Sequence, residues 1–133
     1  MSVLTQLKTE LGANTMAMLS PIKYAEENGL ADQFARDIRA ELKPTQLRRF
    51  FHQIKSLQRQ VEQTGEFDRT KIALVMPALA YAVGRTLIPV DFYELMKFCF
   101  GADRCKTKAD FENSVQFLEA ILAYHKYYEK IKK

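Results

Sequence analysis

The sequence predicts an all-α fold, a compact bundle of about five to six helices forming one domain over residues 1–133. Apolar residues recur at three- and four-residue steps from end to end, as helices require. No stretch alternates in the manner of a half-buried strand. The 47% hydrophobic and 27% charged content is globular, and a chain of this length buries enough surface to fold without disulfides or metal.

Leu4, Leu7 and Leu11 form a first short stripe that Gly12 ends. Pro21 can open a second helix, and Asn28-Gly29 can close it in left-handed geometry. Leu30, Phe34, Ile38 and Leu42 step by four, so a helix is expected over 30–42, broken by Pro44. Thr45 is the expected N-cap of the next helix, its hydroxyl accepting an otherwise unpaired N–H. That helix runs to about Gln63 and turns Leu47, Phe50, Phe51, Ile54, Leu57 and Val61 inward. Asp68 begins another, with Ile72, Val75, Met76, Leu79 and Val83 inward and Gly84 at its end. Pro77 either kinks it or marks where its regular part starts. After the extended joint Ile88-Pro89, Asp91 opens a short helix with Phe92, Leu95, Met96 and Cys99 on one side. Thr107 and Asp110 have capping-box spacing. The long last helix carries Phe111, Val115, Leu118, Leu122, His125 and Tyr128 along one face.

Charge is unevenly distributed. The formal net charge is +4, yet residues 43–71 alone carry an excess of +4, against −2 over residues 1–42. Within the helix after Pro44, Arg48, His52, Lys55 and Arg59 fall in a sector of about 60° at 100° per residue, away from the apolar face. Arg49 lies to the side and can extend the row. Such a row can follow a nucleic-acid backbone, with arginine forks on phosphate oxygens. A solvated helix face explains the same pattern, because most exposed Lys and Arg bind nothing specific. No acidic residue interrupts the row, and Glu62 stands at its margin. Lys71 and Arg85, one edge of the following helix, would widen the basic surface if the two helices pack side by side. Arg104, Lys106 and Lys108 cluster before the last helix, where the dipole disfavours cations and hints at an external anion.

Two segments resemble a known family. Leu42-Lys43-Pro44-Thr45-Gln46-Leu47-Arg48-Arg49-Phe50-Phe51 resembles the entry to the main helix of the small subunit of type III-A CRISPR–Cas (Csm-type) interference complexes. Met76-Pro77-Ala78-Leu79-Ala80-Tyr81-Ala82-Val83-Gly84-Arg85 resembles its second hallmark, and the likeness spans roughly residues 40–128. Met76 and Ala78 flank the proline where the family often has lysines. The resemblance implies a non-catalytic helical subunit, stacked in several copies along a ribonucleoprotein filament. Its partners would be guide and target RNA, other subunits of the effector complex, and further copies of itself. Contacts would be to RNA backbone, since base pairing already specifies sequence. Carried over by position, Arg48 and Arg85 are the leading RNA-contact residues, followed by Lys55 and Lys71, with Arg49, His52 and Arg59 on the same surface.

The sequence gives no catalytic residues, cofactor motif or metal-ligand set: no phosphate-binding glycine loop, nucleophile elbow or paired histidines. His125 reads as a satisfied core histidine, and a zinc site on Cys99, Cys105 and His125 would lack a fourth ligand. Asp32 and Asp37, like Glu26 and Glu27, read as solvated helix charges. Tyr124, Tyr127 and Tyr128 suit core or interface packing better than base stacking. The reduced cysteines, the lack of a signal peptide and the lack of an apolar run near the ~18 residues of a membrane span point to a cytoplasmic protein with no membrane partner. Two rival readings stay open. One is a helical protein–protein adaptor without direct RNA binding, which uses the aromatic final helix. The other is a helix-turn-helix DNA binder that reads with the helix after Pro44.

Overall fold

The computed structural model describes residues 2–38 and 40–131. Among these the fold is all-α. Six helices have nine residues or more: α1 (Val3–Leu11), α3 (Leu30–Ile38), α4 (Pro44–Thr64), α6 (Met76–Gly84), α7 (Val90–Phe100) and α8 (Lys108–Ile131). Two single-turn helices, α2 (Pro21–Ala25) and α5 (Arg69–Ala73), and a 3-10 turn at Met16–Met18 lie between them.

Helix α8 is the axis, with α2, α3, α4, α7 and the 3-10 turn packed along it. It starts as the capping box predicts. The Asp110 amide donates to Thr107 Oγ1 at 3.2 Å, while Asp110 Oδ2 accepts from the Thr107 and Lys106 amides at 3.1 and 2.9 Å. The carboxylate also accepts from Ala17 N at 2.7 Å, which ties the 3-10 turn to the base of α8. The anion that the helix start calls for is therefore the chain's own. Arg104 is likewise structural, donating to the Gly12 and Asn14 carbonyls at 2.6 and 2.8 Å with its guanidinium 4.8 Å from the Phe98 ring centre.

The core is one connected cluster running from Val3 to Ile121. Phe92 of α7 is its junction: its ring centre lies 6.3 Å from that of Phe34 on α3 and 5.8 Å from that of Phe50 on α4. Phe100 continues the cluster, meeting Phe50 at 6.4 Å and Phe111 at 6.0 Å.

Two boundaries differ from the sequence reading, and at a third the structure decides between two alternatives. Helix α3 ends at Ile38, and Leu42 reaches the core from the following turn, its amide donating to the Ile38 carbonyl at 2.9 Å. The proline at 44 disfavours helical geometry at the residue before it, and Lys43 is extended there. Thr45 is not the cap of α4. Pro44 occupies the first turn, where its missing N–H costs nothing, so Lys43 takes the cap position in extended geometry. Pro77 does mark a regular start: α5 stops at Ala73 and α6 begins at Met76.

Asp32 corrects a further expectation. It is buried rather than solvated, accepting from Asn28 N at 2.6 Å and from the Tyr128 hydroxyl, with Arg36 Nε 3.8 Å away. These bonds lock the α2–α3 corner onto the far end of α8.

Candidate nucleic-acid interface

Helix α4 positions the basic row. Its inner face buries Leu47, Phe50, Ile54 and Val61, so residues displaced by more than a quarter-turn from that face stand in solvent. Arg48, Arg49, His52 and Arg59 are exposed. The ion pairs among the described residues are Arg36–Asp32, Lys97–Glu94 and Lys126–Glu129, and none of them involves α4. Arg48, Arg49 and His52 border a shallow open depression together with Thr45, Gln53 and Ser56. Every group on that border is cationic, neutral or a hydrogen-bonding side chain.

Lys55 departs from the row. It is half-buried, its Nζ donates to Gln58 Oε1 at 2.8 Å, and it lies 6.0 Å from the Phe51 ring centre. Its charge is thus drawn to the flank of α4 opposite Arg49.

The other flank meets α5 and looks across an open space toward α6. Lys71 is exposed and donates to Gln60 Oε1 of α4 at 3.1 Å. Arg85 follows the end of α6 and shares a groove with Arg49, Gln46 and Gln53 of α4. The groove floor is apolar, formed by Phe50, Leu79 and Ile88 among others, and no carboxylate lines it. Helix α6 packs chiefly on α7, which leaves this space open beside α4. Lys71 and Arg85 therefore flank two different stretches of α4, separated by the break between α5 and α6. Arg49 borders both depressions and so links Arg48 to Arg85.

Sequence reasoning missed Tyr81. The residue is 68% exposed at the rim of the same groove, and the Arg85 guanidinium carbon is 5.9 Å from the centre of its ring. It was legible as a tyrosine four residues before Arg85, but its exposure depends on how α6 sits against α4 and α7. Of the C-terminal tyrosines, Tyr124 donates to the Ala25 carbonyl at 2.7 Å and Tyr128 to Asp32. Tyr127 is 55% exposed.

Both cysteines and His125 are held inside. Cys99 and Cys105 are free and fully buried. Burial pushes both thiols up, Cys99 with help from the neighbouring Cys105, and Cys105 to about 12. His125 Nε2 is 3.0 Å from the Leu42 carbonyl oxygen. Among the described residues no group of His, Cys, Asp and Glu side chains could hold a metal ion, and no helix is long and apolar enough to cross a membrane.

The sequence model of the family described as Csm2 Type III-A matches residues 22–131. The match takes in α2 through α8, including both segments in which the resemblance was found. No curated protein and no solved structure matches the chain.

Proposed function

The chain belongs to the Csm2 Type III-A family, a family of type III-A CRISPR complex subunits, and from that premise we propose that it is the non-catalytic small subunit of such a complex. It stacks in several copies and holds the guide–target RNA duplex through contacts to the backbone. The observation that carries this reading is the exposed basic surface made by Arg48 and Arg49 on α4 and by Arg85 across the groove, whose two depressions no carboxylate lines, with His52 beside them and Arg59 exposed further along the helix. Guanidinium forks match phosphate oxygens whatever the sequence. A guide–target duplex requires no more than that, because its own base pairs supply specificity. A few cations per copy bind weakly alone, and stacking multiplies them through effective concentration. The adaptor reading draws less support, since Tyr124 and Tyr128 spend their hydroxyls within the chain.

The test is the salt dependence of RNA binding. Arg48→Ala combined with Arg49→Ala lowers affinity for an RNA duplex and flattens the log–log salt slope. Each lost phosphate contact removes about 0.7–0.9 from that slope. Lys55→Ala, whose charge leans toward Gln58, flattens it less. Helix content by circular dichroism stays the same in both variants. A double variant with the wild-type slope would refute this surface as the RNA contact.

A further inference from the structure

We infer that Tyr81 is a stacking platform for an unpaired nucleotide, so that the α4–α6 groove prefers RNA with an accessible base over an uninterrupted duplex. The inference deepens the RNA-binding reading and rests on it.

Tyr81 is among the most exposed large apolar side chains of the described residues. It is not a stray one. It stands at the rim of a groove whose polar groups come from Gln46, Arg49, Gln53 and Arg85, over an apolar floor. The Arg85 guanidinium lies near its ring, at 5.9 Å from the centre. A planar cation beside an exposed ring, above an apolar floor, makes a surface that matches flat, polarisable groups.

An uninterrupted A-form duplex does not offer such groups. It presents phosphates, 2′-hydroxyls and base edges, while its base faces are stacked on one another. The arginines alone suffice for those contacts. A tyrosine ring finds its complement only where a base has left the stack or the strand is unpaired. Proteins that hold single strands combine these two elements, a basic track for the backbone and aromatic rings for base faces. Charge favours RNA over an apolar protein helix as the occupant. Two guanidinium groups and no carboxylate line the groove, so an apolar helix docked there would desolvate both cations without pairing them. A nucleotide brings a phosphate with every base.

The experiment uses the full chain and three labelled RNAs measured by fluorescence anisotropy: oligouridine, a perfect duplex, and that duplex with one bulged uridine. Tyr81→Ala is expected to weaken binding to oligouridine and to the bulged duplex by about 5- to 150-fold, the range for one base–aromatic stack. Binding to the perfect duplex stays unchanged, and so do all salt slopes, since no phosphate contact is lost. Tyr81→Phe retains wild-type binding, and Tyr81→Leu behaves like the alanine variant. If Tyr81→Ala fails to fold, the contrast between Phe and Leu decides the question alone. Equal losses on all three RNAs, no loss on any, or full binding by Tyr81→Leu would each overturn the inference. Should Arg48→Ala/Arg49→Ala weaken binding while Tyr81→Ala is silent, only the stacking role falls. A wild-type chain that binds none of the three RNAs removes both.

Discussion

His125 lies on the apolar face of α8 with 3% of its surface exposed, and its Nε2–H donates to the Leu42 carbonyl. Burial holds its pKa below the ordinary 6.5, against the smaller opposing pulls of that carbonyl and of Glu129. The folded state therefore binds the proton less readily than the unfolded chain does. The stability from the neutral ring is complete above pH 6.5 and is lost as pH falls below that value toward the lower folded pKa. The melting temperature is expected to drop between pH 7 and pH 5, and His125→Gln, which keeps a donor for Leu42, should flatten that drop. An identical pH profile in the variant would show that another group is responsible. This histidine was legible from its place on an apolar stripe. Asp32 was not, because the Tyr128 hydroxyl that makes its burial tolerable comes from 96 residues away. Asp110 was half legible. Its box with Thr107 is local, but burial would raise its pKa, and only bonds from Thr15 and Ala17 together with those of Lys106 and Thr107 hold it below the usual value.

At the level of elements, punctuation decided what could be read. Helix α4 was placed almost to the residue because Pro44 and Gly65 bound it, the glycine in left-handed geometry at φ 75° with its N–H on the Val61 carbonyl. The end of α3 was not, because the apolar step to Leu42 continues after the backbone has turned. The corner between α2 and α3 relies on a close approach. A Cβ on Gly29 would sit 2.8 Å from the Glu26 carbonyl oxygen and 2.9 Å from that of Lys23, both of them backbone atoms. Gly29→Ala is therefore expected to destabilise the chain by about 1–3 kcal/mol, as overpacking does. Urea unfolding would report it as a lower midpoint with an unchanged slope. A midpoint equal to wild type would mean that the corner yields freely. The cationic row along α4 was visible by the same helical arithmetic. The groove it shares with Arg85 was not, since it depends on α6 leaning on α7 and leaving α4 uncovered.

Across the whole molecule, exposed charge and core packing occupy separate places. Cations gather on the outer surface of α4 and beside α6, while the load is carried where α3, α4 and α7 meet at Phe92. Phe→Ala at a fully buried site costs about 3–5 kcal/mol, a large share of the 5–15 kcal/mol that holds a typical domain together. Phe92→Ala should thus lower thermal stability severely and lose helical signal in a single step. Arg48→Ala, on the exposed face, should leave the melting temperature within a degree or two. A Phe92→Ala variant that melts like the wild type would mean that the aromatic junction is not the keystone. The two cysteines supply a gauge of this same interior. Because Cys99 and Cys105 are sealed in and held protonated, a maleimide added to the native protein has nothing to attack until the helices part. The speed of its reaction becomes a clock for how often the interior breathes, and a cysteine introduced on the outer surface would carry a fluorophore long before the native pair is touched.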